Sequence, residues 1–97
     1  VSVDNEAVHP VSFELKENYP NPFNPSTSIG FSIPTSGMVE LTVYDITGRA
    51  VETVHQGFLM AGNHQDTFAG NDLASGAYFY TLKSQGFQDV KKMLLVK

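Results

Sequence analysis

The residues of this chain best placed for chemistry are His64 and Asp66, which flank Gln65. On an extended strand, positions i and i+2 share a face. A histidine beside a carboxylate can ligate a metal ion, or act as a general base with the group that orients it. Either role needs a third group, and none is nominated. His9 and His55 share no short metal-ligand spacing with another histidine or a carboxylate. Cross-strand polar packing is therefore the stronger reading of His64 and Asp66.

The other candidates are weaker. Ser26, Ser28, Ser75 and Ser84 lack a nucleophile elbow or a paired base. Gly70-Asn71-Asp72 offers oxygens to calcium, but a full oxygen shell needs more carboxylates than stand nearby, so a turn is expected. No glycine-rich phosphate loop is present. Asn24-Pro25-Ser26 looks like a glycosylation acceptor, but proline at the middle position excludes it. No catalytic residue, metal site or cofactor is assigned.

Two features suit binding instead. Tyr44, Phe58 and Phe79 fall outside the alternating core pattern and could stack on sugar rings, as in a carbohydrate-binding module. No two of them share a strand at i, i+2 spacing, so packing against a loop or a neighbouring domain is the stronger reading. The second feature is Lys91-Lys92-Met93-Leu94-Leu95-Val96-Lys97, apolar on both faces and bracketed by lysines. A central buried strand reads this way, and lysines also keep edge strands from aggregating. On these grounds alone a structural role outweighs a recognition role.

The bulk properties narrow the field. Ninety-seven residues suggest one domain that buries about two-thirds of its unfolded surface. The net charge of −4 argues against nucleic acid, which needs a basic patch, and against anionic membrane surfaces. With no cysteine, disulfides and thiolate metal sites are excluded. There is no signal peptide and no long apolar run. Opening at Val1 without a methionine, the chain is expected to be a piece of a larger protein.

The elements that position these residues read as strands. Residues 1–10 are polar and are expected to be a linker or lead-in, with a domain over 11–97. Val11, Phe13 and Leu15 alternate on one side of a first strand. Ile29, Phe31 and Ile33 form a second, stopped by Pro34-Thr35-Ser36-Gly37. Val39, Leu41 and Val43 form a third. Asp45-Ile46-Thr47-Gly48 is a tight turn, with Asp45 accepting a backbone N–H two residues on and Gly48 at positive φ. Residues 49–56 run back as its hairpin partner. Residues 57–62 are expected to be a loop with an apolar tip, Phe58-Leu59-Met60. His64, Asp66 and Phe68 begin another strand. Residues 77–84 and 87–97 form the last hairpin about Gln85-Gly86.

About seven short strands, with turn signals roughly every 8–12 residues, predict an all-β fold. An immunoglobulin-like antiparallel β-sandwich fits best, and a small barrel is the alternative. Tyr78 stands where a tyrosine corner would, after a turn and at the start of a strand. Tyr80 then takes the place of the second immunoglobulin cysteine and is expected to face the core. An ordinary aromatic strand explains the same local pattern.

The segment before the second strand is the most distinctive. Asn18-Tyr19-Pro20-Asn21-Pro22-Phe23-Asn24-Pro25 holds three of the five prolines in six residues. Each proline removes a backbone donor and pushes the residue before it to extended backbone, so helix is excluded. Tyr19 and Phe23 are expected to plug one end of the sandwich, and the asparagines to cap turns.

That segment, with Ile29 and Phe31, resembles the start of C-terminal sorting domains of the type IX secretion system. So do Val43-Tyr44-Asp45-Ile46-Thr47-Gly48-Arg49, the run from Leu73 through Gly76 and Tyr78 to Tyr80, and Lys92-Met93-Leu94-Leu95. The blocks arrive in family order and spacing over about residues 17–97. They also resemble the immunoglobulin-like domain of flagellar hook-capping proteins. Only the apolar Phe58-Leu59-Met60 departs from the pattern.

The resemblance implies a non-enzymatic address label on secreted enzymes and adhesins of the Bacteroidetes and related bacteria. The parent domain would lie N-terminal to it. The outer-membrane secretion machinery would be its partner, reached through the periplasm. A sortase-like surface peptidase would then remove the label, with the cleavage region in residues 1–16. The final strand, Lys91 to Lys97, would be the part that the machinery reads. Asn18, Tyr19, Pro20, Asn21, Pro22, Phe23, Asn24, Pro25, Tyr44, Asp45, Gly48, Arg49, Gly76 and Tyr78 would be structural. The alternatives are a retained structural or carbohydrate-binding accessory module and a flagellar assembly module.

Overall fold

The computed structural model describes residues 11–97, so the linker expected over 1–10 lies outside the described residues. The strands are β1 (Glu14–Leu15), β2 (Ser26–Ile33), β3 (Gly37–Tyr44), β4 (Ala50–Leu59), β5 (Gly62–Ala69), β6 (Gly76–Ser84) and β7 (Phe87–Leu95). They form two antiparallel sheets, β1-β2-β5 and β4-β3-β6-β7. This is a sandwich and not a barrel. β4 pairs with β3, whereas in a constant-type immunoglobulin domain the fourth strand stays in the first sheet beside the fifth.

Period-2 alternation builds the core. Ile29, Phe31 and Ile33 of β2 face Val39, Leu41 and Val43 of β3, with Phe68, Leu82, Met93 and Leu95 between and around them. All are buried to within a few per cent. β4 departs from strict alternation, because Val51 and Val54 are three apart yet both pack against this core. Two register shifts against β3, between Leu41 and Thr42 and between Val43 and Tyr44, reconcile them. Each is a bulge that admits one extra residue on β4 and resets which face follows.

The turns match their chemistry. Asp45 Oδ1 accepts the backbone N–H groups of Thr47 at 2.9 Å and Arg49 at 3.1 Å. Gly48 stands at φ 88° beside it. Gln85 and Gly86 both have positive φ, as a two-residue hairpin turn requires. Tyr78 is a tyrosine corner: its hydroxyl donates to the Ala74 carbonyl at 2.7 Å. Tyr80 is fully buried, as expected for the residue in the cysteine's place.

Several expectations need correction. The first strand is two residues long, and Val11 is 96% exposed. Phe13 is half-buried and stacks on Phe87 with ring centroids 5.1 Å apart. Phe58 and Leu59 belong to β4 rather than to a loop, leaving Met60 and Ala61 to connect β4 to β5. Phe23 is buried as predicted, but Tyr19 is 81% exposed and plugs nothing. The last strand is an edge strand, not a central one.

Candidate functional site

The two ends of the domain meet. Residues 14–19 run antiparallel to β2, through the β1 pairs, a Lys16 N–H bond to Gly30 O, and a reciprocal Tyr19–Ser28 bridge with both bonds at 2.9 Å. The chain then leaves β2 and reaches β7 in the other sheet. Phe23 forms a parallel bridge to Leu95: its N–H donates to Leu94 O and its carbonyl accepts from Val96 N, each at 2.9 Å. The prolines account for the crossing, since Pro20, Pro22 and Pro25 have no N–H to continue a ladder. The proline segment is thus a strap across the open side between the two sheets.

Its asparagines do more than cap turns. Asn21 Oδ1 accepts the Leu94 N–H at 3.0 Å. Asn18 is buried, and its side-chain Nδ2 donates to Pro20 O at 3.1 Å and to Thr27 Oγ1 at 3.0 Å. Thr27 Oγ1 in turn donates to Pro20 O at 2.8 Å. Asn18 N–H donates to the Tyr80 hydroxyl at 2.9 Å, and that hydroxyl donates to Lys16 O at 2.7 Å. Burial pushes the Tyr80 phenol up to about 12, aided by the carboxylates of Glu17 and Asp89. The bonds of Tyr80 to Asn18 and Lys16 and of Asn21 to Leu94 could not be found by local pattern, because they join residues more than sixty positions apart.

Along β7 the suspected recognition residues divide by face. Met93 and Leu95 are core residues, 0% and 1% exposed. Lys92, Leu94, Val96 and Lys97 are exposed. Lys91 pairs with Glu17 at 3.4 Å, the one ion pair among the described residues. Lys97 is tied down: its ammonium donates to Asn71 O, and its backbone N–H to Ser75 Oγ at 3.0 Å. Among the described residues, Lys92 alone of these lysines has neither a carboxylate nor a carbonyl partner. The edge of β7 is also partly occupied, by the strap at Leu94 and Val96 and by Asp89 Oδ1, which accepts the Val90 N–H at 2.8 Å.

Of the other motif residues, Pro25 O accepts Gly70 N at 2.8 Å, and Asp45 N donates to Arg49 O at 2.9 Å to close the β3–β4 turn. The Thr47 hydroxyl and the Arg49 N–H hold the Asp45 carboxyl below the usual carboxylate range. Gly76 and Tyr78 shape the start of β6. Asn24 is exposed.

The chemical candidates are not brought into a site. His64 stacks on Phe31 at 5.5 Å, and its Nε2 bonds the Met60 carbonyl at 2.7 Å. Among the described residues no group of three His, Cys, Asp or Glu could hold a metal ion. Tyr44 and Phe79 are direct cross-strand neighbours, but Phe58 of β4 lies opposite Met38, at the far end of β3 from Tyr44. The three aromatics do not form one row.

A buried aromatic in a proline strap, a tyrosine corner, and a lysine-bearing last strand sealed by that strap converge on one comparison. Residues 17–97 match the family described as Secretion system C-terminal sorting domain. The chain belongs to that family. No curated protein matches it. The family marks a C-terminal sorting signal of type IX secretion, a role that is not catalytic. Such a signal implies a parent protein on its N-terminal side, the type IX machinery as partner, and export across the outer membrane to the surface or beyond.

Proposed function

We propose that this sorting domain carries its parent through the periplasm to the outer-membrane machinery, where the exposed face of the final strand is read. A sortase-like peptidase then removes the domain at the cell surface. The observation that supports this reading is the division of β7. Met93 and Leu95 hold the strand in the core, while Lys92, Leu94 and Val96 are left exposed beside it. A cation with no partner among the described residues, set beside apolar side chains, suits a partner with an apolar cleft and a carboxylate, because electrostatic complementarity fixes orientation and speeds encounter.

Deleting residues 91–97 would remove two core side chains and confound recognition with unfolding. The cleaner test fuses residues 1–97, which include the expected cleavage region, to a folded reporter that carries an N-terminal export signal, in a host with a type IX system. The reporter should reach the surface or medium, and mass spectrometry should find it without the domain. Accumulation of intact fusion in the periplasm would sink the sorting role. Export of an uncleaved fusion would remove only the peptidase step.

A further inference from the structure

We infer that the surface read by the secretion machinery is the outer face of the four-stranded sheet, with the cross-strand pair Tyr44 and Phe79 at its centre and the last strand as its rim. This rests on the sorting reading above and extends it from β7 to residues of β3 and β6.

The pairings put these residues on one face. Directly opposed residues share a face, and successive residues of a strand alternate. Val43, Tyr78, Tyr80 and Met93 are buried in the core, so Tyr44, Phe79 and Lys92 point outward. Tyr44 stands opposite Phe79, and Phe79 opposite Lys92, in one row across β3, β6 and β7. Thr42, Thr81 and Val90 form the next row on one side. On the other side Ala77 stands opposite Leu94. The face thus runs without a break from Lys92 and Leu94, on the last strand, to the middle of the sheet.

Its chemistry suits docking. Val90 and Leu94 are 53% and 40% exposed, and Tyr44 and Phe79 are half-buried. Apolar and aromatic side chains gathered on one face and rimmed by polar groups mark sites of protein association. β3 and β6 are each paired on both sides, so their side chains are already held in place, and preorganised groups lose less entropy on binding. The opposite face of the sandwich has a different character. There Ser28, Gly30 and Ser32 of β2 lie beside Thr67, Gln65 and Asn63 of β5, and Tyr19 is an isolated aromatic opposite Ser28.

Family and charge identify the occupant. A sorting domain has the type IX machinery as its partner. Lys92 is the one charged residue in the rows named above, and among the described residues it has no ion pair. It stands on an edge strand, where an interface keeps its polar rim. The fitting partner is a protein of the outer-membrane machinery with an apolar surface over Tyr44 and Phe79 and a carboxylate opposite Lys92.

The test uses the reporter fusion with Phe79→Thr, Val90→Glu and Lys92→Glu on this face and Tyr19→Ser on the opposite one, each checked by thermal melting. The three variants of this face should each lower export about tenfold, as loss of an interface anchor does, while Tyr19→Ser exports normally. Normal export of folded Phe79→Thr and Val90→Glu would overturn the face and leave the sorting role standing. An equal loss in Tyr19→Ser would do the same. If Phe79→Thr lowers the Tm, Val90→Glu, at the more exposed position, decides by the same readout. Electrophoresis through polysaccharide gels separates a glycan partner: retardation of the unaltered domain that Phe79→Thr abolishes, with export intact, would overturn the protein partner. No export of the unaltered fusion would overturn both the face and the sorting role.

Discussion

The backbone N–H of Asn18 ends on the hydroxyl of Tyr80, 62 positions away, at 2.9 Å inside the domain. That hydroxyl in turn donates a hydrogen bond to Lys16 O at 2.7 Å. One phenol thus holds the chain on both sides of Glu17, where the strap begins. Tyr80→Phe keeps the ring and strands the buried Asn18 N–H and the part-buried Lys16 carbonyl. Unpaired buried groups of this kind destabilise by about 2 kcal/mol, equivalent to a fall in Tm on the order of 10 °C. Tyr78→Phe, which loses only the part-buried bond to Ala74 O, should cost about 1 kcal/mol. Thermal melts of the two variants side by side test this order.

The same phenol makes the domain sensitive to alkali. Its folded pKa, about 12, stands above the ordinary value of 10.0, chiefly because burial disfavours the phenolate. Below pH 10 the phenol is protonated in both states, and its contribution to stability is complete. Between pH 10 and about 12 the unfolded chain loses the proton and the native state keeps it, so stability falls as pH rises. Tm measured from pH 8 to 12 should decline more steeply for the unaltered protein than for Tyr80→Phe.

The strap should also protect the end of the last strand. Asn21→Ala removes the acceptor for Leu94 N–H but leaves the Phe23 bridge in place. The loss is one exposed bond, about 0.5 kcal/mol. Amide exchange at Leu94 should accelerate, while Met93, paired with Tyr78 in the ladder, stays protected. An unsealed edge also pairs with other chains, so the variant should show more self-association by light scattering.

The turn at Asp45 makes an acid-side prediction. Hydrogen bonds from Thr47 and Arg49 favour its charged form and hold its pKa below 3.8. Its contribution is therefore present above that value and is lost as pH falls through the lower folded pKa. Asp45→Ala should lower Tm at neutral pH, and the gap from the unaltered protein should shrink toward pH 2.

Alternation located the cores of β2 and β3, because one buried face imposes a period of two, whereas the apolar run of β7 reads the same on both faces and conceals that Met93 and Leu95 are its core side. Val51 and Val54 concealed β4's register, since spacing by three contradicts a single strand until bulges are allowed. Tyr19 and Phe23 looked equivalent in the sequence. What separates them is the partner each meets. Directly opposed residues share a face. Ser28 lies outward beside inward Ile29, so Tyr19 is outward; Leu95 is inward, so Phe23 follows it. Such pairings close across the whole chain, and no local window contains them. The approach of the strap to the last strand was hidden for the same reason.

That contrast gives a paired prediction within the strap. Phe23 is 1% exposed and packs edge-on to Phe68 at 6.1 Å, beneath the Leu95 bridge. Phe23→Ala opens a cavity where the strap crosses to β7, and buried Phe→Ala changes destabilise by about 3–5 kcal/mol. Small domains are stable by roughly 5–15 kcal/mol, so much of the margin would go. Because the Phe23 carbonyl accepts the Val96 N–H, exchange protection at Val96 should vanish with it. Tyr19→Ala removes a ring that is mostly in water and should shift stability by less than about 0.5 kcal/mol. Urea titrations of the two variants would show whether the strap is held by its buried aromatic alone. A large loss from Tyr19→Ala would mean that its ring packs in solution.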